Sequence, residues 1–191
     1  MSTMWLGVDP GTSGGAAFFD VGGDAVLWGA KWYPNTKDGG WWMVMSDRGK
    51  VHCQTLQRVG TLVGVRARWE AMAARRSCEG HALGVASEWW TRKIPAKRVR
   101  PMIKCAWNGG KVVSPMEALA HYYLEIPVAD WRWETLNLRS RCTKERAKEA
   151  AMYYVKTRFP GALGPLEKSH HVAEAVCIGR CAQRREVLAR P

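Results

Sequence analysis

The sequence predicts a mixed α/β domain, and three observations carry that expectation. Short apolar runs separated by tight turns fill residues 4–33. Segments of strand and helix character then alternate through residues 52–124. Two well-delimited helical segments close the chain, over 143–158 and 169–188. Strands first, then strands alternating with helices, is the order of a sheet covered by helices.

The elements follow in chain order. Met4–Asp9 is an apolar run ending in an acid, and Pro10–Gly15 has the composition of a turn. Ala16–Phe19 and Ala25–Tyr33 complete an antiparallel meander. Residues 35–49, rich in Gly and Asp around Trp41-Trp42, are expected to form a loop. Leu56, Val59, Leu62 and Val63 give residues 52–63 a helical period. Val65, Ala67 and Trp69 alternate with Arg66 and Arg68, which predicts a strand ending at Glu70. Residues 82–90 are expected to be helical, and 96–99 a short strand stopped by Pro101. Ser114 and Pro115 suit the cap and first position of a helix running to Leu124. Residues 126–142 are Trp/Arg-rich and read as irregular. Thr143 caps a helix that ends before Pro160.

The 191 residues suit one domain, with a Trp/Arg-rich insertion around 106–142. At 47% hydrophobic and 24% charged, the composition excludes collagen, coiled coil and wholesale disorder. No apolar run is long enough to cross a membrane. Residues 1–6 lack the charged and apolar regions of a secretory signal, so a cytoplasm is expected, that of the host if the gene is viral. Six cysteines are scattered without a CxxC motif and read as reduced thiols. His52-Cys53 and Cys78/His81 offer loosely spaced zinc donors, with nothing else to support them.

Charge gives the first functional direction. Lys+Arg number 29 against 17 Asp+Glu, a net +12, which suits a polyanionic partner. Basic residues cluster with tryptophans, as in Trp89–Lys93 and Trp131-Arg132-Trp133. Aromatics beside cations serve base stacking and phosphate contact. A Trp-rich core under a solvated basic face would have the same composition.

Four residues on three elements could build a metal site. Asp9 ends the first strand before a Gly-rich turn, and Glu70 ends a later strand. His171 and Glu174, three apart, share one face of the last helix, while His170 points about 100° away and suits a phosphate contact or an exposed position. Oxygen-rich donor sets of this kind suit Mg²⁺ or Mn²⁺. Two such ions about 3.5–4 Å apart can clamp a scissile phosphate.

These residues bring a family into view. Gly7–Gly15, Val65–Glu70, Lys144–Lys148 and His171–Ala175 resemble, in order and spacing, the motifs of RuvC-like Holliday-junction resolvases of the bacteriophage type. That family belongs to the RNase H-like superfamily. The resemblance implies a mixed five-stranded sheet flanked by helices. It also implies a homodimeric, Mg²⁺- or Mn²⁺-dependent crossover junction endodeoxyribonuclease with two ions per site. Each subunit would nick one strand of a four-way or branched DNA. The resemblance assigns the acids to Asp9, Glu70 and Glu174, with His171 standing at a position usually held by an acid. It places Lys144 near the scissile phosphate. Arg75, Arg76, Lys144, Arg146, Lys148 and His170 are the expected DNA contacts. Two departures stand out: the length of 106–142, and Met72 where some members carry an aromatic wedge.

Other readings remain open. The Asp9–Ser13 string also resembles the phosphate loop of sugar kinases and actin-like ATPases, but those need a second copy of the fold to enclose ATP. A non-catalytic branched-DNA or nucleic-acid-binding protein of the same fold would share the charge. An RNase H or transposase-like nuclease would share the site.

Overall fold

The structure is a computed structural model. It describes residues 3–11, 13–20, 23–34, 41–47, 50–56, 81–89, 117–118, 120–139 and 141–189. Seven strands form one sheet: β1 (Thr3–Asp9), β2 (Gly14–Phe19), β3 (Val26–Pro34), β4 (Trp41–Asp47), β5 (Lys50–Leu56), β6 (Ala82–Trp89) and β7 (Tyr122–Pro127). Their spatial order is β5-β4-β3-β2-β1-β6-β7. β1 pairs antiparallel with β2 and parallel with β6, and β6 pairs parallel with β7. The expected mixed α/β sheet of five strands is therefore present as β3-β2-β1-β6-β7. The β4–β5 hairpin extends it antiparallel at the β3 edge. Among the described residues three helices accompany it: α1 (Val128–Leu136), α2 (Lys144–Arg158) and α3 (His170–Ala189), with a 3₁₀ turn at Gly164–Lys168.

The meander and the last two helices match the sequence expectation. Thr143 caps α2 by accepting from the Arg146 backbone N–H at 3.3 Å. Five expectations are corrected. Residues 41–47 form β4 rather than loop, because the aromatic and apolar run outweighs the glycines beside it. Residues 52–56 belong to β5, not a helix. Residues 82–89 are β6, not a helix, and 122–124 open β7. β6 lies inside the sheet with Ala82–Ser87 buried, so its sequence shows an unbroken apolar run instead of alternation. Residues 128–136 form α1 where irregular chain was expected, ending on Asn137 in the left-handed conformation (φ 53°). The strand expected at 65–70 and that at 96–99 lie outside the described residues.

Strand parity decides what each face of the sheet carries. Trp5 and Ala17, Phe19 and Ala86 pack into the cluster that contains α3. Met4, Leu6, Val8, Ala16, Phe18, Leu83 and Val85 fill a second cluster on the opposite face. Asp9 follows Trp5 and Gly7 in parity, and Glu88 follows Ala86. Both acids therefore lie on the face that α3 covers. α3 is buried along residues 172–183 because the sheet, α1 and α2 all pack on it. It approaches β1 closely through glycine. A Cβ on Gly7 would collide with the Ala175 carbonyl and the Gly179 backbone. A Cβ on Gly15 would collide with the His171 backbone. No helix among the described residues is long and apolar enough to cross a membrane.

Candidate metal centre

The centre forms at the C-terminal ends of β1 and β6, under the first turn of α3. β1 delivers Asp9, which is 8% exposed. Its carboxylate Oδ2 lies 2.6 Å from His171 Nδ1. The register of β1 and β6 pairs Val8 with Ser87, so their next residues, Asp9 and Glu88, end the two strands side by side. One turn along α3, Glu174 is buried and lies 4.0 Å from the Arg132 guanidinium. Trp131 of α1 is fully buried, and its indole Nε1 donates to Glu88 Oε2 at 3.1 Å. His170 stacks on His171 with ring centroids 4.0 Å apart. His170, His171 and Glu174 each offer one ligand atom, and these atoms lie within 4.8 Å of one another.

The electrostatics are those of crowded, poorly neutralised acids. Burial pushes the Asp9 carboxyl up to about 7, against the pull of the Gly11 backbone N–H, Lys148 and Lys144. Burial also pushes Glu174 up to about 7, helped by the charges of Asp9 and Glu88 and opposed by Arg132 and His171. Burial lowers His171. It also lowers His170, to about 4, with His171, Lys148, Lys31 and Lys144 adding to the effect. Burial thus favours the neutral forms of Asp9 and His171 alike.

The structure brings together Asp9, His171, Glu174 and His170 of the expected residues. Lys144 and Lys148, one turn apart on α2, both act electrostatically on Asp9. Arg146 is exposed and lies about 200° round α2 from Lys144, on another face. Glu70, Arg75 and Arg76 lie outside the described residues. So do Cys78 and the side chains of His52 and Cys53. Cys142, Cys177 and Cys181 are free thiols, as expected.

No family model matches the chain, and no curated protein matches it. Among the solved structures similar to it are two of RuvC. One is Thermus thermophilus RuvC in complex with a Holliday junction substrate, at 15% identity and TM-score 0.49, covering 96% of this chain and 95% of that one. The other is the T. thermophilus RuvC structure, at 15% identity and TM-score 0.49, covering 96% of each chain.

Sequence reasoning missed Glu88 and Lys31, and it singled out Trp131 and Arg132 as a nucleic-acid contact rather than as partners of the buried acids. Glu88 was hidden by the helical reading of 82–90. One signal was available: Ala82–Glu88 is a short apolar run ending in an acid, the same pattern as Met4–Asp9. That role of Trp131 and Arg132 was hidden by the irregular reading of 126–142.

Proposed function

We propose that this chain is a divalent-metal-dependent endonuclease acting on branched DNA, with a four-way junction as its substrate and a homodimer as its working form. The observation that carries the reading is the convergence of Asp9, Glu88, His171 and Glu174 at one end of the β1–β6 pair. Two of the carboxyls there are raised to about 7, Asp9 by burial and Glu174 by burial together with the charges of Asp9 and Glu88. Carboxyls buried together at one end of a strand pair fit a hard divalent ion, whose charge would favour their ionised forms. The donor set of three carboxylates and an imidazole suits Mg²⁺ or Mn²⁺. Glu70, which the resemblance places at the second acid, stands as the alternative to Glu88. When bound, the ions polarise the scissile phosphate and lower the pKa of attacking water.

The chain's own groups do the rest. Asp9 and Glu174 in their ionised forms, with a ring nitrogen of His171, would hold the ions. Trp131 fixes the Glu88 carboxylate by its indole hydrogen bond. Lys144 and Lys148 hold positive charge over the centre, where a DNA phosphate would approach. Their spacing puts both on one face of α2. The net charge of +12 supplies the long-range attraction for a polyanion.

The test is cleavage of a labelled four-way junction beside linear duplex, in Mg²⁺, Mn²⁺ and EDTA. Paired symmetric nicks in the junction, absent in EDTA, are the expected result. Binding without nicking in either metal would refute the enzyme and leave a non-catalytic branched-DNA-binding protein. Preferential cleavage of an RNA–DNA hybrid would refute the substrate.

A further inference from the structure

We propose that His170 joins His171 and Glu174 to make a nitrogen-rich cation site, one that selects a first-row transition ion such as Mn²⁺ over Mg²⁺. The proposal rests on the metal-centre reading above, since it assigns the character of one of that centre's ions. It adds a ligand that neither the motif spacing nor the resemblance requires.

The geometry comes first. The three ligand atoms lie within 4.8 Å of one another. Atoms bound to one ion at about 2.1 Å sit at most about 4.2 Å apart. Closing that difference takes side-chain rotation of a few tenths of an ångström, not backbone movement. His170 is the first residue of α3, so its side chain is not confined between two helical turns. Consecutive helical residues ordinarily diverge by about 100°. Here the two rings instead stack at 4.0 Å with a 38° tilt, and a nitrogen of each lies within 4.8 Å of the other and of a Glu174 oxygen. His171 Nδ1 and Asp9 Oδ2 share a hydrogen bond of 2.6 Å, and in the tautomer with the proton on Nδ1 the Nε2 lone pair is free for a metal. A carboxylate on the far nitrogen is the arrangement that orients an imidazole toward a metal and raises its donor strength.

Donor chemistry then decides the ion. Mg²⁺ prefers an octahedron of oxygens and keeps its waters. Imidazole nitrogens favour the later first-row ions, and affinity rises along that series from Mn²⁺. Two nitrogens in a set of three protein donors therefore penalise Mg²⁺ specifically.

The experiment uses the whole chain, stripped of metal and without DNA. Mn²⁺ and Mg²⁺ are titrated separately by calorimetry, and the Mn²⁺ form is examined by pulsed electron paramagnetic resonance for nitrogen coupling. The parent should bind Mn²⁺ at least about tenfold tighter than Mg²⁺ and show coupling from two imidazoles. His170→Ala should lose about tenfold or more in Mn²⁺ affinity and one of the two couplings, with Mg²⁺ affinity little changed. His170→Asp restores a ligand as oxygen, so it should bind Mg²⁺ tighter than the parent does. This second variant separates lost ligation from lost folding. Equal affinity of the parent for the two ions would overturn the proposal. So would unchanged nitrogen coupling in folded His170→Ala. Junction cleavage that persists alongside either result would leave the nuclease reading standing while this one falls. Two-imidazole coupling in a protein that cuts nothing would do the reverse.

Discussion

Replacing Asp9 by Asn should make the metal-free protein more stable, and increasingly so as the pH rises. In the unfolded chain this carboxyl titrates at its ordinary 3.8, whereas burial holds it at about 7 in the folded state. An acid raised in this way favours folding least when the solution demands its charged form. Its contribution is intact below the unfolded pKa and is lost as the pH climbs toward the folded one. By that linkage the penalty is about 2 kcal/mol at about pH 5 and about 4 kcal/mol at about pH 8. Asn carries no charge, yet its amide oxygen can still accept from His171 Nδ1, so the geometry is kept. Removing the Asp9 charge also relieves Glu174, which that charge pushes up. The advantage of Asp9→Asn should therefore widen by about 2–3 kcal/mol between those pH values. For a chain of this size that is a widening of about 5–10 °C in Tm. Circular dichroism melts of both proteins in EDTA, at the two pH values, measure it directly. A gain that stays flat with pH, or a variant less stable than the parent at the higher pH, would refute the buried-acid argument.

Two further predictions follow from the same geometry. Glu88→Gln should cut junction cleavage by about 100-fold or more while leaving junction binding within about threefold, because binding rests on phosphate contacts. Glu70→Gln, assayed beside it, should cut almost normally, and the reverse ranking would return the second acid to Glu70. Gly7→Ala should destabilise the fold by about 3 kcal/mol or more in urea titration, since its Cβ meets backbone atoms of α3 that have no rotamer to yield. A Gly7→Ala protein as stable as the parent would contradict the close β1–α3 approach.

How much of this was legible in the sequence depends on which forces each segment displays locally. β1 to β3 announced themselves because Pro10, Gly11, Gly14 and Gly15 punctuate apolar runs of strand length. α2 was legible from Thr143 at one end and Pro160 at the other. The His171/Glu174 pair was legible because a spacing of three has one meaning on a helix. β6 was not legible. A strand buried on both faces shows no alternation, and Ala82, Leu83 and Ala86 are strong helix formers. That error carried Glu88 with it, since a helix-side glutamate and a strand-terminal one are identical as letters. α1 was masked by its own composition: Trp131 and Thr135 are buried while Trp133 is 55% exposed. Its tryptophans thus split between core and surface, and only tertiary packing reveals the division.

β1 and α3 are also fastened at the end remote from the metal centre. Glu186 accepts from Thr3 Oγ1 and from Trp5 Nε1, each at 2.6 Å. Six strand steps span about 20 Å and the fifteen helical steps from residue 171 to 186 about 22 Å, so the two elements are matched in length. The consequence is one of order in folding. Asp9 and His171 lie 162 residues apart and Thr3 and Glu186 lie 183 apart, so both fastenings are highly non-local, and such contacts form slowly. β1 can pair with β2 and β3 through short connections before either fastening closes, so the acid at the end of β1 meets the first turn of α3 late in folding.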